Sequence, residues 1–89
     1  MKVHQNIRVE GKVQGVYFRK STREKAIEYG ISGFVKNQTD GSVYIEAEGY
    51  QGQIDLFVEW CYQGPVMAKV SKITIEGGDW ADYQGFNIR

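Results

Sequence analysis

Hydrophobic and polar positions alternate over the first part of the chain. Val3, Ile7, Val9 and Val13 share one parity with Gln5 and Gly11, while His4, Asn6, Arg8, Glu10 and Lys12 occupy the other. A period of two over this length predicts a half-buried strand from about Val3 to Val13. The pattern then changes. In "FRKSTREKAIEYG", Phe18, Thr22, Ala26 and Tyr29 fall at helical spacing, and Gly30 suits the C′ stop. Two starts compete for this helix. Ser21 with Glu24 has the form of a capping box, whereas Phe18 joins the apolar stripe only if the helix begins before it.

"ISGFVKN" reads as a second strand, joined through "QTDG" to a third, "SVYIEAE", where Val43, Ile45 and Ala47 alternate with Tyr44, Glu46 and Glu48. Asp-Gly between alternating segments signals a hairpin, because the turn needs positive φ, which glycine adopts without a Cβ clash. Ile54, Phe57, Val58 and Cys61, at i, i+3, i+4 and i+7, predict a second helix that stops at Gly64-Pro65. "VMAKVSKITIE" is a fourth strand. Its inward parity switches between Val70 and Ile73, which predicts a bulge near Ser71. The loop "GGDWADYQ" leads to a short closing strand, "GFNIR".

The order β-α-β-β-α-β plus a short strand is that of the ferredoxin-like, split-βαβ α+β fold. Two helices should pack on one face of an antiparallel sheet. Strand 3 would lie between the parallel strands 1 and 2, whose C-terminal ends emerge on one edge, about 10 Å apart at two interstrand spacings. A small tetrahedral anion bridges such a gap if the loop after strand 1 curls inward.

Composition bounds what this edge can do. The 89 residues make one domain, 1–89, and eleven basic residues balance eleven acidic ones. Neutrality gives no general reason to bind nucleic acid or membrane. No apolar run approaches the roughly 20 residues of a membrane span, and the N-terminus alternates where a signal peptide would be continuously apolar. The one cysteine, Cys61, forms no internal disulfide. The expectation is a cytoplasmic protein, with nothing demanding more than a monomer. One His and one Cys make no metal-ligand cluster, and no cofactor is implied.

The chemistry lies in "QGVYFR", Gln14 to Arg19. A turn entering a helix directs unpaired N–H groups one way, and the helix dipole favours negative charge there. Gly15 lets the backbone fold tightly, and Arg19 adds a planar fork of donors matching two phosphate oxygens. On these residues alone, a solvated arginine on a first helical turn is ordinarily the better account. Asn37 divides the same way. It is either a turn residue bonding its own backbone or an amide that orients a water toward a phosphoryl group.

"GKVQGVYFR" (Gly11 to Arg19) with "GFVKNQTDGSV" (Gly33 to Val43) resembles the acylphosphatase family, with its G-x-V-Q-G-V-x-F-R and G-x-V-x-N-x-x-D-G-x-V patterns. The similarity continues through "QGPVMAKV" and "GFNIR", so it spans nearly the whole chain. The resemblance implies the fold above and hydrolysis of the carboxyl-phosphate bond of acyl phosphates. It implies a phosphate loop at Gly15, Val16, Tyr17, Phe18 and Arg19, a substrate-binding Arg19 and a water-positioning Asn37. Inorganic phosphate or sulfate should occupy the same site. Tyr17 departs from the family by standing where a smaller residue is common, Val66 replaces a second proline, and the chain ends at Arg89 where some members continue to a tyrosine.

Other candidates are weaker. His4, on the polar face of strand 1, is expected to be an exposed strand histidine, Cys61 a buried thiol and Asp40 a turn residue. Lys12, Lys20, Arg23 and Lys36 are expected to be solvated charges that together raise the local potential. An RNA-binding module of this topology needs aromatic residues on the open faces of strands 1 and 3 and a basic surface; strand 1 offers neither. A regulatory small-molecule module has no use for Arg19 and Asn37 together. A segment of a larger carbamoyl-transfer protein is the remaining alternative, and a free-standing enzyme is the simpler reading.

Overall fold

Strand β1 (Lys2–Lys12) occupies an interior position in the sheet, and the alternation explains why it can. In the computed structural model, which describes all residues 1–89, Ile7 and Val9 are completely buried. They pair with Ile45 and Val43 of β3 (Val43–Tyr50) on one side and with Ile75 and Ile73 of β4 (Lys69–Gly77) on the other. The slip predicted near Ser71 is present. Glu10 faces Lys72 while Gly11 faces Val70, so Ser71 is the extra residue of a bulge. Gly11 stands opposite at φ 131°, where a Cβ would lie 2.1 Å from the Lys69 carbonyl oxygen. No side chain fits there.

The sheet order is β4-β1-β3-β2-β5, with β2 at Ser32–Asn37 and β5 at Phe86–Ile88. Among the four long strands, β4-β1-β3-β2, every adjacent pair is antiparallel, as expected. β5 corrects the expectation of a wholly antiparallel sheet, because it runs parallel to β2 and makes the sheet mixed. Helices α1 (Phe18–Glu28) and α2 (Gln51–Gln63) cover one face. Phe18, Thr22 and Ala26 of α1 and Ile54, Phe57 and Cys61 of α2 are buried there. Phe57 meets Phe86 edge-on, and Phe18 lies against Trp60.

Between the two candidate starts of α1, packing decides. The helix begins at Phe18, so Ser21 is internal and its N–H bonds the Tyr17 carbonyl at 3.1 Å; no side chain caps this end. The Ser21–Glu24 capping box does not form. Burying the Phe18 ring outweighs one cap, which is worth about 1 kcal/mol.

The face away from the helices also differs from expectation. His4 is buried, as is Glu48, because the segment between β4 and β5 folds over them. His4 Nδ1 lies 2.6 Å from Glu48 Oε2, and Nε2 lies 2.8 Å from Asn6 Oδ1 and 3.1 Å from Glu46 Oε1. The N–H groups of Ala81 and Tyr83 donate to the Glu48 carboxylate at 2.5 and 2.9 Å. Burial alone would lower the His4 pKa, but its bonds to Glu48 and Asn6 and the two carboxylate charges raise it overall. Burial would likewise raise Glu48, yet His4 and the two backbone donors pull it below the usual carboxylate range. Acceptors at both ring nitrogens favour the imidazolium.

Candidate active site

Gln14 to Tyr17 connect β1 to α1 in a tight, alternating path. Gly15 (φ 73°) and Tyr17 (φ 65°, ψ 23°) are both left-handed, and Val16 between them turns into the core. Gly15 takes this conformation freely, whereas for a tyrosine it is a costly one. The N–H groups of Gly15, Val16 and Tyr17 donate to no group of the protein. The first three N–H groups of α1 have no intrahelical acceptor either, as at every helix start.

This loop borders a cavity of about 420 Å³. Gly15, Tyr17, Arg19 and Lys20 from the loop and first turn line it together with Asn37 of β2, Ile88 of β5 and the buried Val13 and Phe18. The structure therefore brings together Arg19 and Asn37, 18 positions apart in sequence. Arg19 is exposed and makes no ion pair. Asn37 ends β2, and its Oδ1 is buried without a hydrogen-bond partner.

The electrostatics of α1 run against the ordinary rule. Cations are unfavourable near a helix N-terminus, yet Arg19 and Lys20 occupy the first turn with no acidic residue there. A bound anion reverses that cost. Together with the unpaired N–H groups, these charges give the cavity one cationic, donor-rich half.

A hydrogen-bonded framework holds the two walls. Gln14 Nε2 donates to the carbonyl oxygens of Gln38 and Ser42 at 2.8 and 2.9 Å, tying the loop to the β2–β3 turn. Asp40 stabilises that turn, as its sequence position predicts, by accepting from the Ser42 N–H at 2.9 Å and pairing with Arg8. The Ser42 hydroxyl and N–H, then Arg8, hold the Asp40 carboxyl down to about 2.

The remaining candidates have other places. Of the four accessory cations, only Lys20 lines the cavity. Arg23 anchors β5 through the Phe86 carbonyl at 3.0 Å, and Lys36 lies over the Tyr44 ring. Cys61 is fully buried, which pushes its thiol pKa up and removes it as a nucleophile. His4 lies in the separate cluster on the other face. Sequence reasoning missed Ile88 as a cavity wall and Gln14 as a tie; the alternation in "GFNIR" was the available signal for Ile88.

Fold and cavity together define a small ferredoxin-like domain with a pocket lined by two cations at one sheet edge. Residues 5–88 match the acylphosphatase family. An acylphosphatase of Pelotomaculum thermopropionicum is 47% identical over 77 residues, covering 86% of this chain and 80% of the relative. The structure of an acylphosphatase from Coxiella burnetii superposes with a TM-score of 0.96 at 40% identity, over 99% of this chain and 93% of that one. An acylphosphatase from Bacillus subtilis gives 0.95 at 34% identity, over 100% and 99%. The chain belongs to the acylphosphatase family, hydrolases that act on acyl phosphates.

Proposed function

We propose that this chain hydrolyses acyl phosphates by direct attack of water on phosphorus, with Arg19 and the Gly15–Arg19 loop holding the phosphoryl group and Asn37 positioning the water. The observation that carries this reading is the meeting of two first-turn cations and unpaired loop amides with Asn37 around one cavity. Arg19 and the amides neutralise the equatorial oxygens, which is the main electrostatic demand of phosphoryl transfer. Asn37 accepts a hydrogen bond from the water and turns its lone pair toward phosphorus, but takes no proton.

The bond balance needs no further group. The water oxygen bonds phosphorus, the bond from phosphorus to the acyl oxygen breaks, and its electron pair leaves on a carboxylate. That carboxylate has a conjugate-acid pKa of about 4, so it departs unprotonated. The water proton passes to the phosphate product or solvent. Positioning and charge suffice, without metal or a phosphoenzyme. In the same reading the protein works as a cytoplasmic monomer, and inorganic phosphate or sulfate competes for the cationic half.

The test is hydrolysis of benzoyl phosphate in the presence of a chelator by wild type, Arg19→Ala and Asn37→Ala, with folding checked by circular dichroism. Chelator-resistant turnover that falls at least about a hundredfold in both folded variants supports the mechanism. Full activity in Asn37→Ala, or a trapped phosphorylated side chain, overturns it.

A further inference from the structure

Residues 78–84 form neither helix nor strand, and all of them except Tyr83 are exposed. Little apolar burial holds this strap, so its bonds to the sheet must. The Gly78 N–H donates to the His4 carbonyl at 3.0 Å, and the N–H groups of Ala81 and Tyr83 converge on the Glu48 carboxylate. The Tyr83 hydroxyl donates to Glu46 at 2.7 Å. At Gly78 the backbone lies directly on the His4 ring, where a Cβ would come within 2.6 Å of Cδ2.

Two carboxylates therefore carry the strap, and His4 is the cation beside both. Its Nδ1 faces Glu48 and its Nε2 faces Glu46, both from β3. Asn6 of its own strand and the Tyr83 ring, 5.9 Å away, complete its surroundings, and from β4 Glu76 stands opposite Asn6. The charged groups that act on the ring are acids. As an imidazolium, His4 offsets their mutual repulsion. As a neutral ring it leaves Glu48, which is buried, without its counter-charge.

The strap runs straight into β5. Tyr83 stands edge-on to Phe34 of β2, and the Arg89 guanidinium lies 3.9 Å from the centre of the Phe34 ring. Ile88, next to Arg89, lines the cavity. A continuous run of contacts thus leads from His4 through Glu48, Tyr83, Phe34 and Arg89 to a pocket wall at the other end of the sheet.

We propose that His4 is a positioning residue worked by a proton: its imidazolium seats the strap and with it β5, and its neutral form loosens both, so that substrate binding weakens as His4 deprotonates. The kinetic part rests on the hydrolytic reading above. Ile88 is uncharged and takes no part in the bond exchange. Its displacement weakens binding of substrate and transition state alike, which raises KM and leaves kcat unchanged.

The experiment measures KM and kcat for benzoyl phosphate from about pH 6 to about pH 9 in wild type, His4→Gln and Gly78→Ala. Backbone amide NMR shifts of Ala81, Tyr83, Ile88 and Arg89 are followed over the same range. In wild type, KM should rise about fivefold or more at constant kcat, and all four amides should follow one titration step. His4→Gln, neutral throughout, should show the alkaline KM at every pH and lose the step. Gly78→Ala lifts the strap with no change of charge and should raise KM at the acid end. A flat wild-type KM, or Ile88 and Arg89 amides that ignore the step seen at Ala81, overturns the proposal. Absence of turnover removes the hydrolytic reading instead, and the amide shifts alone then decide whether His4 holds β5.

Discussion

The side-chain amide of Gln14 donates to the carbonyl oxygen of Ser42 at 2.9 Å, and through the Gln38 carbonyl it reaches the residue next to Asn37. One side chain thus sets the separation between the loop that carries Arg19 and the strand that carries Asn37. Gln14→Ala frees both carbonyls and should cost about 1–2 kcal/mol in denaturant unfolding. The larger effect is expected on catalysis, since displacement of about 1 Å can cost a hundredfold. Steady-state kinetics should show kcat falling at least tenfold, with inhibition by inorganic phosphate changing much less. Equal loss in both would mean that Gln14 shapes the phosphate pocket and not its distance from Asn37.

Arg19 is expected to act through geometry as well as charge. Arg19→Lys keeps the cation in the first turn but loses the planar two-pronged donor set. Competitive inhibition by inorganic phosphate should weaken about tenfold or more. Retained phosphate affinity would show that a point charge suffices.

The His4–Glu48 pair should make stability depend on pH in two directions. The His4 pKa is raised from 6.5, so its contribution is complete below 6.5 and is lost as pH rises through the folded value. The Glu46 and Glu48 pKa values are lowered from 4.5, so their contributions are complete above 4.5 and are lost as pH falls through the folded values. Urea unfolding should therefore give greatest stability between these limits. His4→Gln should flatten the alkaline side of that profile. Glu48→Ala, which leaves a buried imidazolium and two backbone donors without their acceptor, should cost about 3 kcal/mol.

Cys61 offers a separate check on packing. A thiol-specific reagent should leave the native protein unlabelled and fully active, then react stoichiometrically in denaturant. Rapid labelling in native buffer would place the apolar face of α2 outside the core.

Much of this was legible because it depends on local periodicity. The strand from Val3, the Ile54–Cys61 stripe, the Asp40-Gly41 turn and the bulge at Ser71 each follow from residues close in sequence. That Arg19 and Asn37 would border one cavity was legible through two motifs, one at each strand end. What escaped the sequence depends on distant segments meeting. His4 looks exposed until Ala81 and Tyr83 fold over its partner Glu48, 44 positions away. Ser21 looks like a cap until the Phe18 ring is placed against Trp60. The direction of β5 depends on β2, far earlier in the chain.

That pairing has a consequence for how the molecule is made. Gly33 N–H donates to the Gly85 carbonyl and Arg89 N–H to the Val35 carbonyl, each at 2.9 Å. β5 follows β2 only after β3, α2 and β4, so until β5 docks, β2 has its outer backbone edge bare. A bare strand edge is a template for another chain. Ile88, a wall of the cavity, arrives in the same few residues. Docking of β5 therefore covers that strand edge and brings in a wall of the pocket in a single step.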